Sequence, residues 1–351
     1  MTKINKRVKS NTDDLADQIV EESKKEVKKK ASIRFDRVIS TGSVLLDLAI
    51  SGGRIKGGGI PPGILFEIYG PSGAGKTAVL ASICASAQRN GGTVRLRDPE
   101  ARLDKEYAET YGMSIDKAGF DYSRPDTVEE LFIDLWEWDN RKEGVVNIFG
   151  ADSIASLSTE LEMGDNDGDK RGQRQAKLFS QSLRKSARII GQEDLLVLFT
   201  NQLRQGEFGE VTSGGKALEY YASLRGRVSK KGMIEKVVKL SSGKEVKKII
   251  GIESQIYISK STIDDPYRSC PFSILFGVGI DDIRDQLQWY KDITKETKYD
   301  VFDGKTYVAM EKAIQHIEEN NLEIKLRERT IELWREIESK FKIERKPKVW
   351  F

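Results

Sequence analysis

Glu67-Ile-Tyr-Gly-Pro-Ser-Gly-Ala-Gly-Lys-Thr77 joins an apolar run at 64–69 to a helical pattern at 76–89 that Asn90-Gly91-Gly92 brings to a stop. Its last eight residues fit G-x-x-x-x-G-K-T, and the flanking strand and helix are the context in which that string has a physical meaning. Gly70, Pro71, Ser72, Gly73, Ala74 and Gly75 let the backbone curl until its N–H groups converge on phosphate oxygens, while the start of the helix adds a favourable dipole. Lys76 then neutralises the outer phosphates of a nucleoside triphosphate, and the Thr77 hydroxyl is suited to ligate Mg²⁺. ATP and Mg²⁺ are the expected ligands.

Outward from this loop, short apolar strands alternate with amphipathic helices from about residue 32 to 281, the pattern of a mostly parallel sheet covered on both faces. Strands are expected at 64–69, 93–98, 145–151 and 195–200, and helices at 76–89, 128–138 and 174–191. Asp152 follows the strand at 145–151, where a phosphate-binding protein places a water-mediated Mg²⁺ contact, although Asn147 interrupts that strand's apolar character. Asp98 and Glu100 close the strand at 93–98, and a carboxylate there is placed to polarise an attacking water. Arg95 and Arg97 alternate with Val94 and Leu96, which leaves three readings open: solvation, phosphate, or a second subunit.

The ends and the middle divide differently. Residues 12–30 read as one amphipathic helix with a thin stripe of Leu15, Ile19, Val20 and Val27, too narrow to stand alone. The segment 224–277 is β-rich with turn signals, as expected of antiparallel or mixed strands extending the sheet, and its part 230–248 is a lysine-rich hairpin. From 282 the chain turns helical and highly charged. The expected organisation is an N-terminal helix and linker (1–35), a core (36–281) and a small C-terminal domain (282–351).

Bulk properties narrow the function classes. The 351 residues carry a net charge of only +3 although 32% are charged, so a nucleic-acid site must arise from local placement of charge. One histidine, His316, excludes histidine triads and multi-histidine metal sites and reads as solvated. Cys84 and Cys270 lack ligand spacing and read as reduced, packed thiols. No apolar run is long enough for a membrane span or signal peptide, so a cytoplasmic protein is expected.

The order of the motifs resembles the RecA family of strand-exchange recombinases over roughly residues 32–281. Ser40-Thr-Gly-Ser43 with Leu45-Leu-Asp47, the phosphate loop, Asp98-Pro-Glu-Ala-Arg-Leu-Asp104, Thr200-Asn-Gln-Leu-Arg204 and Thr212-Ser-Gly-Gly215 each resemble a segment of the family, in the family's order. The resemblance implies a RecA-type P-loop ATPase core of α/β class with a mostly parallel central sheet flanked by helices, plus an N-terminal helix and a small α+β C-terminal domain. It implies that Glu100 is the catalytic glutamate, that Asp104 and Tyr107 contact adenine with Gly277 on the nucleotide as well, and that Gln202 senses the γ-phosphate. The loops 162–173 and 203–213, otherwise simple polar surface turns, become DNA-binding loops. Lys170, Arg171 and Arg204 would grip phosphates there, Leu203 or Phe208 would wedge between nucleotides, and Gly214 and Gly215 form the glycine pair. Lys177 and Arg184 match basic positions facing DNA. Lys260 matches one of two lysines that reach a neighbouring subunit's nucleotide. The other position is Thr262, with Arg268 as a candidate substitute.

The activity so implied is ATP-dependent homologous recombination. A helical filament on single-stranded DNA pairs with a homologous duplex, hydrolyses ATP under DNA stimulation, and draws on single-strand-binding and loader proteins. A non-recombining regulator or assembly clamp, or a hexameric helicase, would use the same core. The chain finishes Lys342-Ile-Glu-Arg-Lys-Pro-Lys-Val-Trp-Phe351, where family members often carry an acidic tail, so readier duplex binding is expected. Deleting 342–351 should lower duplex affinity and flatten its salt dependence, measured by fluorescence anisotropy across a salt series.

Overall fold

The computed structural model describes residues 35–160, 171–192, 194–206, 209–213 and 215–345. The helix expected at 12–30 lies outside them, as do Lys170, Phe208 and Gly214.

After helix α1 (Val44–Ser51) come β1 (Ile64–Gly70) and α2 (Lys76–Arg89), then β2 (Val94–Arg97), α3 (Lys105–Thr110), β3 (Phe120–Ser123), α4 (Val128–Trp136) and β4 (Asn147–Ala151). Next are α5 (Arg171–Gln192), β5 (Leu195–Gly206), β6 (Gly209–Thr212), α6 (Lys216–Tyr221), β7 (Leu224–Lys239), β8 (Glu245–Ser261), β9 (Ser269–Leu275) and β10 (Gly279–Ile280). The last part holds α7 (Asp282–Thr294), a two-stranded β11 (Tyr299–Asp300) and β12 (Thr306–Tyr307), α8 (Met310–Glu319) and α9 (Glu323–Lys340). In the main sheet the strands follow the order β10-β9-β8-β7-β1-β5-β4-β2-β3, and β6 pairs with β5. The ladder from β7 to β3 is parallel, whereas β8, β9 and β10 add antiparallel, as the 224–277 pattern predicts.

Alternation along the strands builds two cores, one on each face. Ile64, Phe66 and Ile68 of β1 and Leu196 and Leu198 of β5 meet α1 and α2 on one side. Leu65, Leu195, Val197 and Phe199 meet α4 and α5 on the other, where Phe132 sets its ring edge-on to Phe179 and Phe199 at centroid distances of 5.8 and 6.3 Å. Helix α4 begins at a full capping box, Thr127 with Glu130. Cys84 and Cys270 are buried free thiols, as their spacing implies.

Beyond residue 282 a small cluster of Leu287, Val301, Ala313, Ile317 and Leu326 forms, and α9 additionally sends Ile331 and Trp334 into the main core. The expectation for His316 is overturned. It stands on the inner face of α8 beside Ala313 and Ile317 and is buried, with Nε2 2.7 Å from Asp303 Oδ2 and Nδ1 3.1 Å from the Tyr307 hydroxyl. Amphipathic periodicity decided its side, against the charged local composition. Asn147 is also structural: its buried Oδ1 accepts from Thr93 Oγ1 at 2.7 Å and its Nδ2 donates to Lys142 O at 2.8 Å, pinning the loop before β4. Of the three readings for Arg95 and Arg97, none holds. Arg97 donates to Asp134 Oδ2 at 2.6 Å and Asp121 Oδ2 at 3.0 Å, and Arg95 stands over the Trp138 ring, so both tie β2 to β3, α4 and the segment after α4.

Three buried carboxylates join the start of the core to α7. Asp47 accepts from Thr41 N and Oγ1, Asp282 from Val44 N, and Asp285 from Ser273 N and Oγ. Burial pushes Asp47 up to about 6, Asp282 to about 7 and Asp285 to about 6, against the pull of those hydrogen bonds. The folded state therefore holds protons that the unfolded chain releases above its ordinary carboxylate range. The stability contributed is full at acidic pH and is lost as pH rises through 6–7. Asp282→Asn should make the urea midpoint measurably less dependent on pH between about 5 and 8 than in the parent.

Candidate functional site

Parallel register places Gly70, at the end of β1, opposite Gln202 of β5, so the phosphate loop opens at the carboxyl edge of the sheet beside β4 and β5. Gly70 has no room for a side chain, since a Cβ there would sit 2.2 Å from Val228 O. Gly75, at φ 101°, turns the loop into α2, and a Cβ on it would strike Ile274 at 2.6 Å. The Ala74 carbonyl is held by Ser254 Oγ at 2.9 Å. Lys76 is buried and donates to the carbonyls of Gly70 at 3.1 Å and Pro71 at 2.9 Å, with its ammonium held below the ordinary lysine range chiefly by burial.

A cleft of about 370 Å³ opens above the loop. Ser72, Gly73, Lys76 and Thr77 of the loop and helix line it, together with Glu100, Asp152 and Gln202. Tyr107 and Tyr111, rings 4.9 Å apart, and Phe276 line it as well. Asp152 accepts from the Thr200 hydroxyl and from Thr77; burial still pushes its carboxyl up. Gln202 Nε2 donates to Glu100 Oε1 at 2.8 Å, while Arg102 holds Glu100 Oε2 at 2.7 Å.

The other residues singled out from sequence fall at varied places. Asp104 caps α3 by accepting from Tyr107 N at 2.7 Å and does not line the cleft. Gly277 sits in the β9–β10 turn at φ 78°, and its neighbour Phe276 is the one that lines the cleft. Lys177 and Arg184 are exposed on α5, and Arg171 opens that helix. The expected second loop is instead a hairpin extension of β5: Leu203 pairs with Thr212, and Arg204 reaches Ala155 O at 3.1 Å. Gly215, at φ 60°, leads into α6. Lys260 Nζ donates to Glu219 O at 2.7 Å and Tyr220 O at 2.8 Å, and Thr262 is held through its backbone on Ser223 O. Arg268 is committed to Asp264 at 2.9 Å and Glu338 at 2.7 Å within its own chain, which argues against it as the substitute cation.

Residues 7–281 match the family model of the RecA N-terminal domain. Protein RecA of Thioalkalivibrio sulfidiphilus is 37% identical over 254 residues, covering 71% of this chain and 69% of its own. Protein RecA of Methylococcus capsulatus is 37% identical over 255 residues (71% and 68%), and that of Clostridioides difficile 36% over 261 (73% and 70%). The chain belongs to the RecA family. It is a RecA-type recombination protein built on an ATP-hydrolysing core.

Within this RecA-type site the structure adds residues that pattern reading missed. Arg102, two positions after Glu100, and Tyr111, one helical turn after Tyr107, were within reach of spacing arguments. A buried network was not. Glu67, fully enclosed in β1, accepts from Arg225 Nε at 2.6 Å and Asn201 Nδ2 at 2.8 Å; Asn201 Nδ2 also reaches Ser213 O at 2.9 Å, and its Oδ1 accepts from Gln202 N at 2.9 Å. Asn201 thereby fastens the cleft-side Gln202 to the far end of the β5–β6 hairpin. Asn201→Ala strips Glu67 of one partner and should cost about 1–3 kcal/mol in denaturant unfolding. ATP turnover should fall further than binding.

Among the described residues no helix is long and apolar enough to cross a membrane, and no cluster of three or more metal-ligating side chains occurs.

Proposed function

We propose that this chain is a DNA-dependent ATPase that assembles as a helical filament on single-stranded DNA and exchanges strands with a homologous duplex. The observation that carries this reading is the unbroken hydrogen-bonded path from Glu100 through Gln202 and Asn201 to Ser213, which spans the nucleotide cleft and the hairpin at 203–213.

In the cleft, backbone amides of residues 72–77 bind the polyphosphate and Lys76 neutralises its outer charge. Thr77 and Asp152, two hard-oxygen donors beside Lys76, fit a hard divalent cation; they would hold Mg²⁺, directly and through water respectively, and it would supply further charge neutralisation. Glu100 takes the proton of the attacking water, and Arg102 and Gln202 orient its carboxylate. Gln202 is the switch. Its amide is bound to Glu100, and turning toward a γ-phosphate exchanges that bond for one to nucleotide and pulls on the strand that leads into the hairpin.

On the DNA side, Arg204, Lys177 and Arg184 are exposed cations suited to phosphates, and Leu203 is suited to stacking. Lys170, Arg171, Phe208, Gly214 and Gly215 complete the proposed surface. Residues 12–30 dock head-to-tail on the next protomer, a contact that generates an open helix, and Lys260 is the residue offered across that boundary. Single-strand-binding and loader proteins are further partners, and the cytoplasm is the compartment.

ATP turnover by the full chain should rise on adding single-stranded oligonucleotide, and filaments should appear by electron microscopy with a non-hydrolysed ATP analogue. Glu100→Gln should lower kcat about a hundredfold with nucleotide binding retained, and Lys76→Ala should abolish both. Turnover indifferent to DNA, or closed rings in place of filaments, would sink the reading.

A further inference from the structure

Glu100 and Arg102 stand two residues apart in a turn that is pinned by its own first residue. Asp98, buried just past β2, accepts through Oδ2 from Arg102 N and Leu103 N at 2.8 Å each, and the Tyr122 hydroxyl donates to the same oxygen at 3.0 Å. Ala101 N donates to Asp98 O at 3.1 Å, and Ala101 sits at φ 55°, a left-handed conformation that a residue with a side chain keeps only where its surroundings impose it. Asp104 then caps α3. The backbone under Arg102 is therefore fixed on both sides, and its side chain lines the nucleotide cleft with Lys76, Glu100 and Gln202.

The guanidinium is only partly used. Nη1 lies 2.7 Å from Glu100 Oε2, while Nε and Nη2 have no hydrogen-bond or ion-pair partner among the described residues. The Glu100 side chain is 10% exposed and that of Arg102 67%, so the carboxylate is enclosed and the free edge of the guanidinium stays open to what enters the cleft. An ion pair with one partner this exposed contributes little to stability, which leaves its position to be explained by a ligand.

Charge points to the ligand. Glu100 and Asp152 bring two carboxylates to a cleft built for a polyphosphate, and among the described residues lining it the cations are Lys76 and Arg102. The Lys76 ammonium is held below the ordinary lysine range first by burial; Asp152 and Glu100 act against that, and the positive charge of Arg102 adds to it. Two cations thus act on each other across the empty cleft, an arrangement that a phosphate between them relieves. Neither Lys260, held on the carbonyls of Glu219 and Tyr220, nor Arg268, held by Asp264 and Glu338, is free to take this place.

We propose that Arg102 is a catalytic arginine acting in its own subunit's cleft: it binds the γ-phosphoryl group of ATP and stabilises the charge that moves there during hydrolysis. This rests on the ATP-hydrolysing reading of the cleft and adds a side chain that touches the reacting phosphate. In the step, the water oxygen bonds to the γ-phosphorus as the bond from that phosphorus to the bridging oxygen breaks. Glu100 takes the proton of the water, the bridging oxygen leaves on ADP with the electron pair, and Arg102 exchanges no proton. Nε and Nη2 form a planar fork that suits phosphoryl oxygens, while Nη1 keeps Glu100 in place, so one side chain ties the base to the group under attack.

The test uses the full chain, with ATP turnover measured with and without a single-stranded oligonucleotide. Binding is measured for a non-hydrolysed ATP analogue and for ADP–aluminium fluoride, a mimic of the transferring phosphoryl group. Arg102→Ala should lower kcat about a thousandfold, keep analogue binding within about threefold of the parent, and lose the tighter binding of ADP–aluminium fluoride over ADP. Retained analogue binding also reports an intact fold. Arg102→Lys, which keeps the charge without the fork, should recover part of kcat. A residue that merely oriented Glu100 would have nothing left to do once that carboxylate is gone. Glu100→Gln should therefore still bind ADP–aluminium fluoride tightly, and adding Arg102→Ala to it should remove that binding. Mixing Arg102→Ala with Lys76→Ala subunits should restore no turnover, since neither cleft is complete. A kcat within about threefold of the parent in Arg102→Ala, unchanged ADP–aluminium fluoride binding in the double variant, or turnover regained in the mixture would overturn the assignment. Parent turnover indifferent to the oligonucleotide strikes the DNA-dependent reading above and leaves this comparison intact, because the variants are read in both conditions.

Discussion

The parallel hydrogen-bonded pairing of β1 with β5 is the constraint on which the site depends. It runs from Ile64 opposite Leu196 to Gly70 opposite Gln202. A slip of one residue would exchange the two faces of β5, turning Leu196 and Leu198 away from α2 and Leu195, Val197 and Phe199 away from α4 and α5. Both cores therefore enforce a single register. That register sets the phosphate loop beside Gln202 and places Glu67 next to Asn201 inside the sheet. The chemistry at the carboxyl edge is thus positioned by apolar packing on both faces of the sheet.

Much of this was legible in the residues. The glycine-rich loop between strand and helix has few alternative meanings, because its spacing serves backbone geometry as well as side-chain chemistry. The two-sided burial of β1, β4 and β5 follows from their nearly continuous apolar runs. The antiparallel extension was also visible, through alternation and turn residues between 224 and 277. The ordered motifs from Glu67 to Gly215 carried the family, and the match over 7–281 agrees.

What escaped were interactions between residues remote in sequence. Arg97 meets Asp134 and Asp121, Glu67 meets Arg225 and Asn201, and His316 meets Asp303 and Tyr307. A charged or polar residue in a strand or helix reads as solvated unless its partner is known, and partner choice is a property of the folded topology. The β5–β6 hairpin escaped for a different reason: glycine and polar residues dominate 203–213, and the pairing of Leu203 with Thr212 depends on β5 being held rigidly up to Gln202.

Lys260 shows how a single protomer restrains its own surface. Its ammonium closes the carboxyl end of α6, where two backbone carbonyls and the helix dipole hold it. Burial and the nearby Arg225 guanidinium both lower its affinity for the proton. Any reach by this side chain beyond its own chain begins with surrendering that cap and leaving two helix-terminal oxygens to water. A free subunit is therefore self-latched at this point, and contact with a neighbour must supply something better than the short helix already offers.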